Sequence, residues 1–131
     1  MSTYFIKALP KLPDGLIFLD SSHNEIIKLP ELPSCLEELI CIKSQKDESG
    51  DSPPLSELPT LPLSLKALLC SSNAIKELPT LPQSLTSIGC SNTKIKELPA
   101  LPPSLTHISC SNTKIKELPT LPPSLTYIDC T

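Results

Sequence analysis

Apolar and polar residues follow a pattern that repeats every twenty residues along most of the chain. The pattern is clearest in IKELPALPPSLTHISCS, which begins at Ile95, and it returns nearly unchanged in IKELPTLPPSLTYIDCT, which begins at Ile115. A fixed period of this length predicts a solenoid, in which each unit packs only on its neighbours. Paired Leu-Pro steps mark six units, which start near positions 9, 29, 58, 78, 98 and 118. We therefore predict a single domain over residues 1–131.

Each unit predicts the same structural parts in the same order. The Leu-Pro-x-Leu-Pro segment should be an extended, polyproline-like strip, because proline restricts its own backbone angle and lacks an N–H donor. After a two-residue turn, the run from Leu105 to Ser111 alternates between apolar and polar residues, which indicates a short strand. Since every return path is about equally long, the strands should stack in parallel about 4.8 Å apart. The sequence thus predicts one parallel sheet and little or no helix.

The strand-like run carries the spacing of a known repeat family. In the third unit the pattern L-x-x-L-x-L-x-x-N-x-L falls on Leu65, Leu68, Cys70, Asn73 and Ile75. The chain therefore resembles leucine-rich repeat proteins, and its twenty-residue period is similar to the short bacterial type in secreted pathogen effectors. Related short repeats occur in proteins of amoeba-infecting giant viruses. The resemblance implies a horseshoe with the parallel sheet on its concave face and extended polyproline-like segments on its convex face.

Two units depart from the family pattern at the corner that follows the strand. Asn92 and Asn112 stand one place early, so Thr93 and Thr113 occupy the position that the family gives to asparagine. The resemblance implies that this side chain bonds to backbone groups at the corner. A threonine hydroxyl satisfies fewer such groups than an amide does. We expect reduced corner bonding in these two units.

The second unit is nine residues longer than the others. The extra residues, at about 46–54, read KDESGDSPP and follow the strand-like run that ends at Ile42. Charged residues with glycine and proline are typical of a surface loop. We interpret this segment as an inserted loop, and a functional loop is the alternative.

Five of the six cysteines recur at the same inward position of successive strands, whereas Cys35 lies in a turn. Neighbouring strands are close enough for a disulfide, but parallel side-chain directions oppose its dihedral angle. Zinc needs four converging ligands, whereas this spacing makes a straight row. We therefore predict reduced thiols that act as small apolar core residues, and no metal site. The implied setting is a reducing, intracellular compartment, namely the cytoplasm, or the host cytoplasm for a viral protein or delivered effector.

Composition and charge argue against several functional classes. The net charge of −3 and pI near 5.3 argue against nucleic-acid binding, and no apolar run approaches the roughly 20 residues of a membrane span. His23 and His107 lie far apart without repeating partners, and three glycines make no phosphate-binding loop. We expect no catalytic or cofactor site and predict that the chain is not an enzyme.

The outward residues of the strands predict a binding surface, because they are free to vary without disrupting the core. One cluster on adjacent strands is apolar, which often marks an interaction site, although the inserted loop could instead cover it. A second, more polar cluster lies at the far end of the sheet. The predicted protein-binding residues are Phe18, Ile40, Ile42, Leu69, His107, Tyr127 and Asp129.

These observations predict a protein-interaction scaffold, with a host protein as the partner if the resemblance reflects origin. Two alternatives remain open: a self-associating structural repeat element, or a truncated remnant of a modular effector. Self-association is expected at the carboxyl-terminal edge. There the chain stops at Thr131 inside its last strand, which leaves Leu125, Ile128 and Cys130 with an uncovered flank.

Overall fold

The computed structural model describes residues 6–43 and 54–131, and these residues contain six short strands and no helix. The strands are β1 (Phe18–Asp20), β2 (Glu38–Ile40), β3 (Ala67–Leu69), β4 (Ser87–Gly89), β5 (His107–Ser109) and β6 (Tyr127–Asp129). They pair in parallel and in sequence order to form one sheet. The predicted solenoid of stacked parallel strands is confirmed. With no helix among the described residues, none of them forms an apolar helix that could cross a membrane.

The strands are shorter than the alternating pattern predicts. The run from Leu105 to Ser111 contains only the three-residue strand β5. At its start, the Leu105 N–H donates to Pro102 O at 3.1 Å, so this leucine belongs to the preceding turn. Beyond its end, the Cys110 N–H still donates to Asp129 O at 2.8 Å. Neighbouring units therefore remain bonded past the strand itself.

An apolar core runs behind the sheet with one layer for each unit. The central strand residues Leu68, Ile88 and Ile108 are at most 2% exposed, as expected for the inward position. Leucines of the Leu-Pro segments, such as Leu78 and Leu98, are buried on the opposite side of the same layer. Each layer is thin and packs mainly on its neighbours, so burial depends on stacking.

A serine in each turn from the third unit onward joins its unit to the preceding one. The Ser84 hydroxyl lies 2.7 Å from Leu63 O and 2.6 Å from Leu65 O. The hydroxyls of Ser64, Ser104 and Ser124 likewise contact two carbonyl oxygens of the unit that precedes each of them. Since a hydroxyl has a single hydrogen, it is shared between two carbonyls. The recurring serine thus has a structural role.

The corners after the strands come in two forms. In the third unit, buried Asn73 bonds to several backbone groups while Ser72 adopts a left-handed φ of 63°. In the fourth unit, Thr93 donates only to Cys90 O at 2.8 Å, and Asn92 takes the left-handed position with φ of 56°. Asparagine tolerates this conformation better than serine. This corner therefore has fewer side-chain hydrogen bonds to the backbone than the corner at Asn73. In exchange, an asparagine occupies the left-handed position and lowers the backbone strain there.

The predicted loop at about 46–54 lies outside the described residues except for Pro54. The strands on either side of it start 29 residues apart, at Glu38 and Ala67, yet these two residues are direct partners in the sheet. After the insertion, the Leu55 N–H donates to Asn73 Oδ1 at 3.1 Å. The insertion therefore leaves the register of the sheet unchanged.

Candidate interaction surface

The sheet aligns the outward residues in two columns that cross all six strands. The first column is Phe18, Glu38, Ala67, Ser87, His107 and Tyr127. The second column is Asp20, Ile40, Leu69, Gly89, Ser109 and Asp129. A third column follows the strands, where the hydroxyls of Ser22, Ser71 and Ser91 each accept a backbone N–H from the next unit at 3.0–3.2 Å. We call the surface formed by these columns the strand face.

Four of the predicted binding residues lie together on this face and form what we call the apolar patch. Its members are Phe18, Ile40, Ile42 and Leu69. Phe18 is 48% exposed, and the other three are half-buried. Leu69 leans over Gly89, because a Cβ added there would lie 2.9 Å from Leu69 Cδ2. The lack of a side chain at Gly89 thus leaves room for the Leu69 side chain.

Charge on the strands is entirely acidic. The six strands contain three carboxylates, Asp20, Glu38 and Asp129, and no lysine or arginine. The pKa of Asp20 is lowered, chiefly by hydrogen bonds from Ser22, whose N–H donates to Asp20 Oδ1 at 3.0 Å, and slightly by His23. Asp20 is therefore ionised at neutral pH.

The polar cluster at the far end is only partly assembled. The rings of His107 and Tyr127 stack, with centroids 5.9 Å apart and planes inclined by 29°. His107 Nδ1 also lies 2.8 Å from Thr106 Oγ1. Asp129 instead turns towards Thr131, whose hydroxyl donates to Asp129 Oδ1 at 3.1 Å. A side-chain hydrogen bond from Ser111, together with the hydrogen bonds from Thr131, lowers the pKa of Asp129.

Two exposed features were not found from the sequence pattern. Lys66 Nζ lies 3.1 Å from Glu37 Oε1, in the row of residues just before the strands. Leu63 is 85% exposed, at a turn position where the other units carry Asp, Ser, Gln or Pro. It borders an open groove of about 970 Å³ on the turn side of the first three units, whose lining includes Leu12, Leu32 and Leu61. Comparing turn positions between units would have revealed this leucine.

Four of the five thiols in the recurring column lie inside the fold. All six cysteines are free, and only Cys35 and Cys130 are exposed. Burial raises the pKa of Cys41 and Cys90 to about 12 and that of Cys70 well above its usual value. No cluster of three or more metal-ligating side chains occurs in the part of the chain that the structure describes. The buried thiols therefore act as small apolar core residues.

Neither protein-family models nor curated protein sequences match this chain, but solved structures do. The leucine-rich repeat domain of a Shigella effector aligns over 88% of the chain with a TM-score of 0.79 and 34% identity. The chain is a leucine-rich repeat protein. It covers 49% of the length of that Shigella domain.

Two structures of the effector YopM are also similar to this leucine-rich repeat protein. YopM from Yersinia enterocolitica is 35% identical over 98% of the chain, with a TM-score of 0.71. YopM from Yersinia pestis, a leucine-rich effector protein, is 28% identical over 96%, with a TM-score of 0.68. The chain spans 31% and 39% of these two proteins. The similar structures thus include a leucine-rich repeat domain of one effector and a leucine-rich effector protein.

Proposed function

We propose that this leucine-rich repeat protein is a protein-interaction scaffold whose strand face receives the partner. The apolar patch is the observation that carries the proposal. Within the two outward columns, the fourth and fifth strands contribute only serine, glycine and histidine, whereas the first three contribute Phe18, Ile40 and Leu69. Apolar side chains grouped on an exposed face are typical of interaction sites.

The backbone beneath the patch is suited to hold such side chains in place. Ile40 and Leu69 lie on strands that pair with a neighbour on each side, and Phe18 lies on β1, which pairs with β2, so the spacing of these residues is set by the ladder. The Ile42 N–H is satisfied by the Ser22 hydroxyl at 3.0 Å, which pins the chain where it leaves β2. A preformed surface of this kind loses little conformational entropy on binding.

The similarity to effectors of Shigella and Yersinia supports a host protein as the partner and binding, rather than catalysis, as the activity. A reducing compartment, such as host cytoplasm, fits the same proposal. Four stacked thiols are buried in the core, and oxidising conditions during folding would favour mispairing among them.

Replacing Ile40 and Leu69 together by serine is expected to weaken partner binding at least about tenfold, because two apolar anchors are lost. Serine already stands in the same column at Ser109, so the backbone accommodates it. The measurement is quantitative capture from a host-cell lysate, followed by affinity determination with the recovered partner. Circular dichroism checks that the variant is folded.

Leu63→Ser is the matched control, since it removes an exposed leucine that lies off the strand face. This variant should bind as the parent chain does. If Leu63→Ser lost binding while the double variant kept it, the groove on the turn side would be the site and the proposal would be wrong.

A second candidate is self-association through β6, favoured by the exposure of apolar residues in the last unit. Ile128 is 38% exposed whereas its counterpart Ile108 is fully buried, and Leu118 and Leu121 are 38% and 43% exposed. The outer side of β6 also forms the edge of the sheet, where another strand can pair. We infer that a second copy of the chain packs there.

Sedimentation velocity over a concentration series tests the second candidate. The sedimentation coefficient is expected to rise with concentration, and Ile128→Asp should suppress the rise by placing a charge in the apolar contact. Ile17→Asp, at an exposed isoleucine in the first unit, is the control for added charge. A single monomeric species at every concentration would exclude self-association.

A further inference from the structure

Four outward side chains of β1 and β2 form a compact group that combines apolar and acidic character. Phe18 lies directly opposite Glu38, and Asp20 lies directly opposite Ile40. The two apolar residues therefore occupy one diagonal of a rectangle and the two carboxylates occupy the other. Strand spacing and rise make each Cα diagonal about 8 Å. We call this group the β1–β2 quartet.

The Glu38 carboxylate lacks a cationic partner among the described residues, and Asp20 has only the weak charge interaction with His23 beside its hydrogen bonds from Ser22. The neighbouring lysine, Lys66, is already paired with Glu37. The ammonium group of Lys43 donates instead to Asn24 O at 2.9 Å, at the corner. None of the described residues donates a hydrogen bond to the Glu38 carboxylate or places a positive charge beside it. The quartet therefore presents two carboxylates beside two apolar side chains, and it is ready for a cation.

The chemistry of an arginine side chain fits this arrangement. Its aliphatic stem can lie along Ile40, and its guanidinium can donate hydrogen bonds to both carboxylates while stacking on the Phe18 ring. A planar guanidinium carries five N–H donors, so it bonds to two carboxylates more readily than an ammonium does. Building on the proposed function, we infer that the β1–β2 quartet binds an arginine side chain of the partner, flanked by an apolar residue that contacts Leu69.

The other strands offer no equivalent group. In β3 and β4 the outward residues are Ala67, Leu69, Ser87 and Gly89, which carry no charge. At the far end, Asp129 is a lone carboxylate that bonds to Thr131, and its neighbour in the column is Ser109. Recognition of a cation therefore belongs to the first two strands.

The test uses a displayed library of random decapeptides, selected on the immobilised full chain, and then the enriched peptides synthesised singly. Enriched sequences should share an arginine next to an apolar residue. Replacing that arginine by citrulline, its neutral isostere, should weaken binding about tenfold. Asp20→Asn with Glu38→Gln should do the same, because two charge contacts are lost. Asparagine retains an acceptor for the Ser22 N–H, so the local fold is kept.

Glu97→Gln with Glu117→Gln is the matched control, because it removes two exposed carboxylates from the corners rather than the strands. Its affinity should equal that of the parent chain. The inference is overturned if selection enriches no peptides, if the enriched peptides lack arginine, or if citrulline or the strand variant binds equally well.

If the enriched peptides lack arginine but bind more weakly to the chain in which Ile40 and Leu69 are replaced, this inference is wrong and the proposed function still stands. Peptides that bind independently of both pairs of residues would count against both. Quartet-dependent pairing of two copies of the chain, seen by sedimentation, would identify a different occupant and likewise overturn the assignment of an arginine-bearing partner.

Discussion

The free energy of unfolding is expected to fall steeply as the pH rises above about 9. Cys41, Cys70 and Cys90 have raised pKa values in the folded chain, because burial disfavours the thiolate. In the unfolded chain the same thiols titrate near their ordinary value of 9.0. Below that pH, thiols are protonated in both states and stability is unaffected. Above it, only the unfolded chain loses protons, so unfolding becomes progressively more favourable.

The expected slope is large because the effect is repeated in three units. Each proton that the unfolded state loses and the folded state keeps changes the free energy of unfolding by about 1.4 kcal/mol per pH unit. Three such thiols give about 4 kcal/mol per pH unit between pH 9 and about 12, which is the pKa of Cys41 and Cys90 in the folded chain. Domains are commonly stable by only about 5–15 kcal/mol. The chain should therefore unfold within a few pH units above 9.

Urea unfolding followed by circular dichroism, under reducing conditions at several pH values, measures this slope. Cys70→Ala should reduce it by about one third, since it removes one of the three thiols whose pKa values are raised most. Cys35→Ala removes an exposed thiol and should leave the slope unchanged. This variant is therefore the control for replacing a cysteine that does not contribute to the slope. Equal slopes for the parent and Cys70→Ala would show that the buried thiols do not control alkaline stability.

Asn73→Ala is expected to destabilise the fold by about 3 kcal/mol or more, since it leaves buried backbone groups without partners. Asn73 Nδ2 donates to Cys41 O at 2.7 Å and to Cys70 O at 3.1 Å, and Oδ1 accepts from the Leu55 N–H. The side chain is 6% exposed, so water reaches these groups poorly once the amide is removed. The measurement is the shift in the free energy of unfolding from denaturant titration.

Thr93→Ala provides the comparison, because Thr93 occupies the same corner position and bonds to Cys90 O alone. It should cost about 1 kcal/mol. Hydrogen exchange adds a local readout, since the Leu55 amide should lose protection in Asn73→Ala and keep it in Thr93→Ala. Similar losses of stability in the two variants would contradict the difference in corner bonding.

The twenty-residue period was sufficient to predict which residues share a column of the sheet. His107 opposite Tyr127 and Ile40 opposite Leu69 are both observed. This success has a physical reason. A one-residue slip would move every apolar side chain to the wrong face, so the pattern allows one register only. The parallel solenoid and its buried thiols depend on that same constraint.

Other features depend on side-chain geometry that no period encodes. The pattern predicts a cluster of Asp129 with His107 and Tyr127, but the hydrogen bonds of the Asp129 carboxylate come from Thr131 and Ser111. The pairing of Lys66 with Glu37, which leaves Glu38 unpaired, also required coordinates. The role of Asn92 became apparent only from its positive φ, because a polar residue one place early looks like a loss in the sequence alone. Binding by the predicted residues remains a prediction.

The corner insertion after β2 has a practical consequence for engineering. Strands β2 and β3 keep the pairing of every other neighbour although the connection between them is nine residues longer. The spacing of the rungs is therefore set by the ladder and not by the length of the connecting chain. An epitope or a fluorophore-bearing peptide inserted between Asn92 and Ile95 should likewise leave the strand pairing unchanged. Such an insertion would report on partner binding at the neighbouring strand face without altering that face.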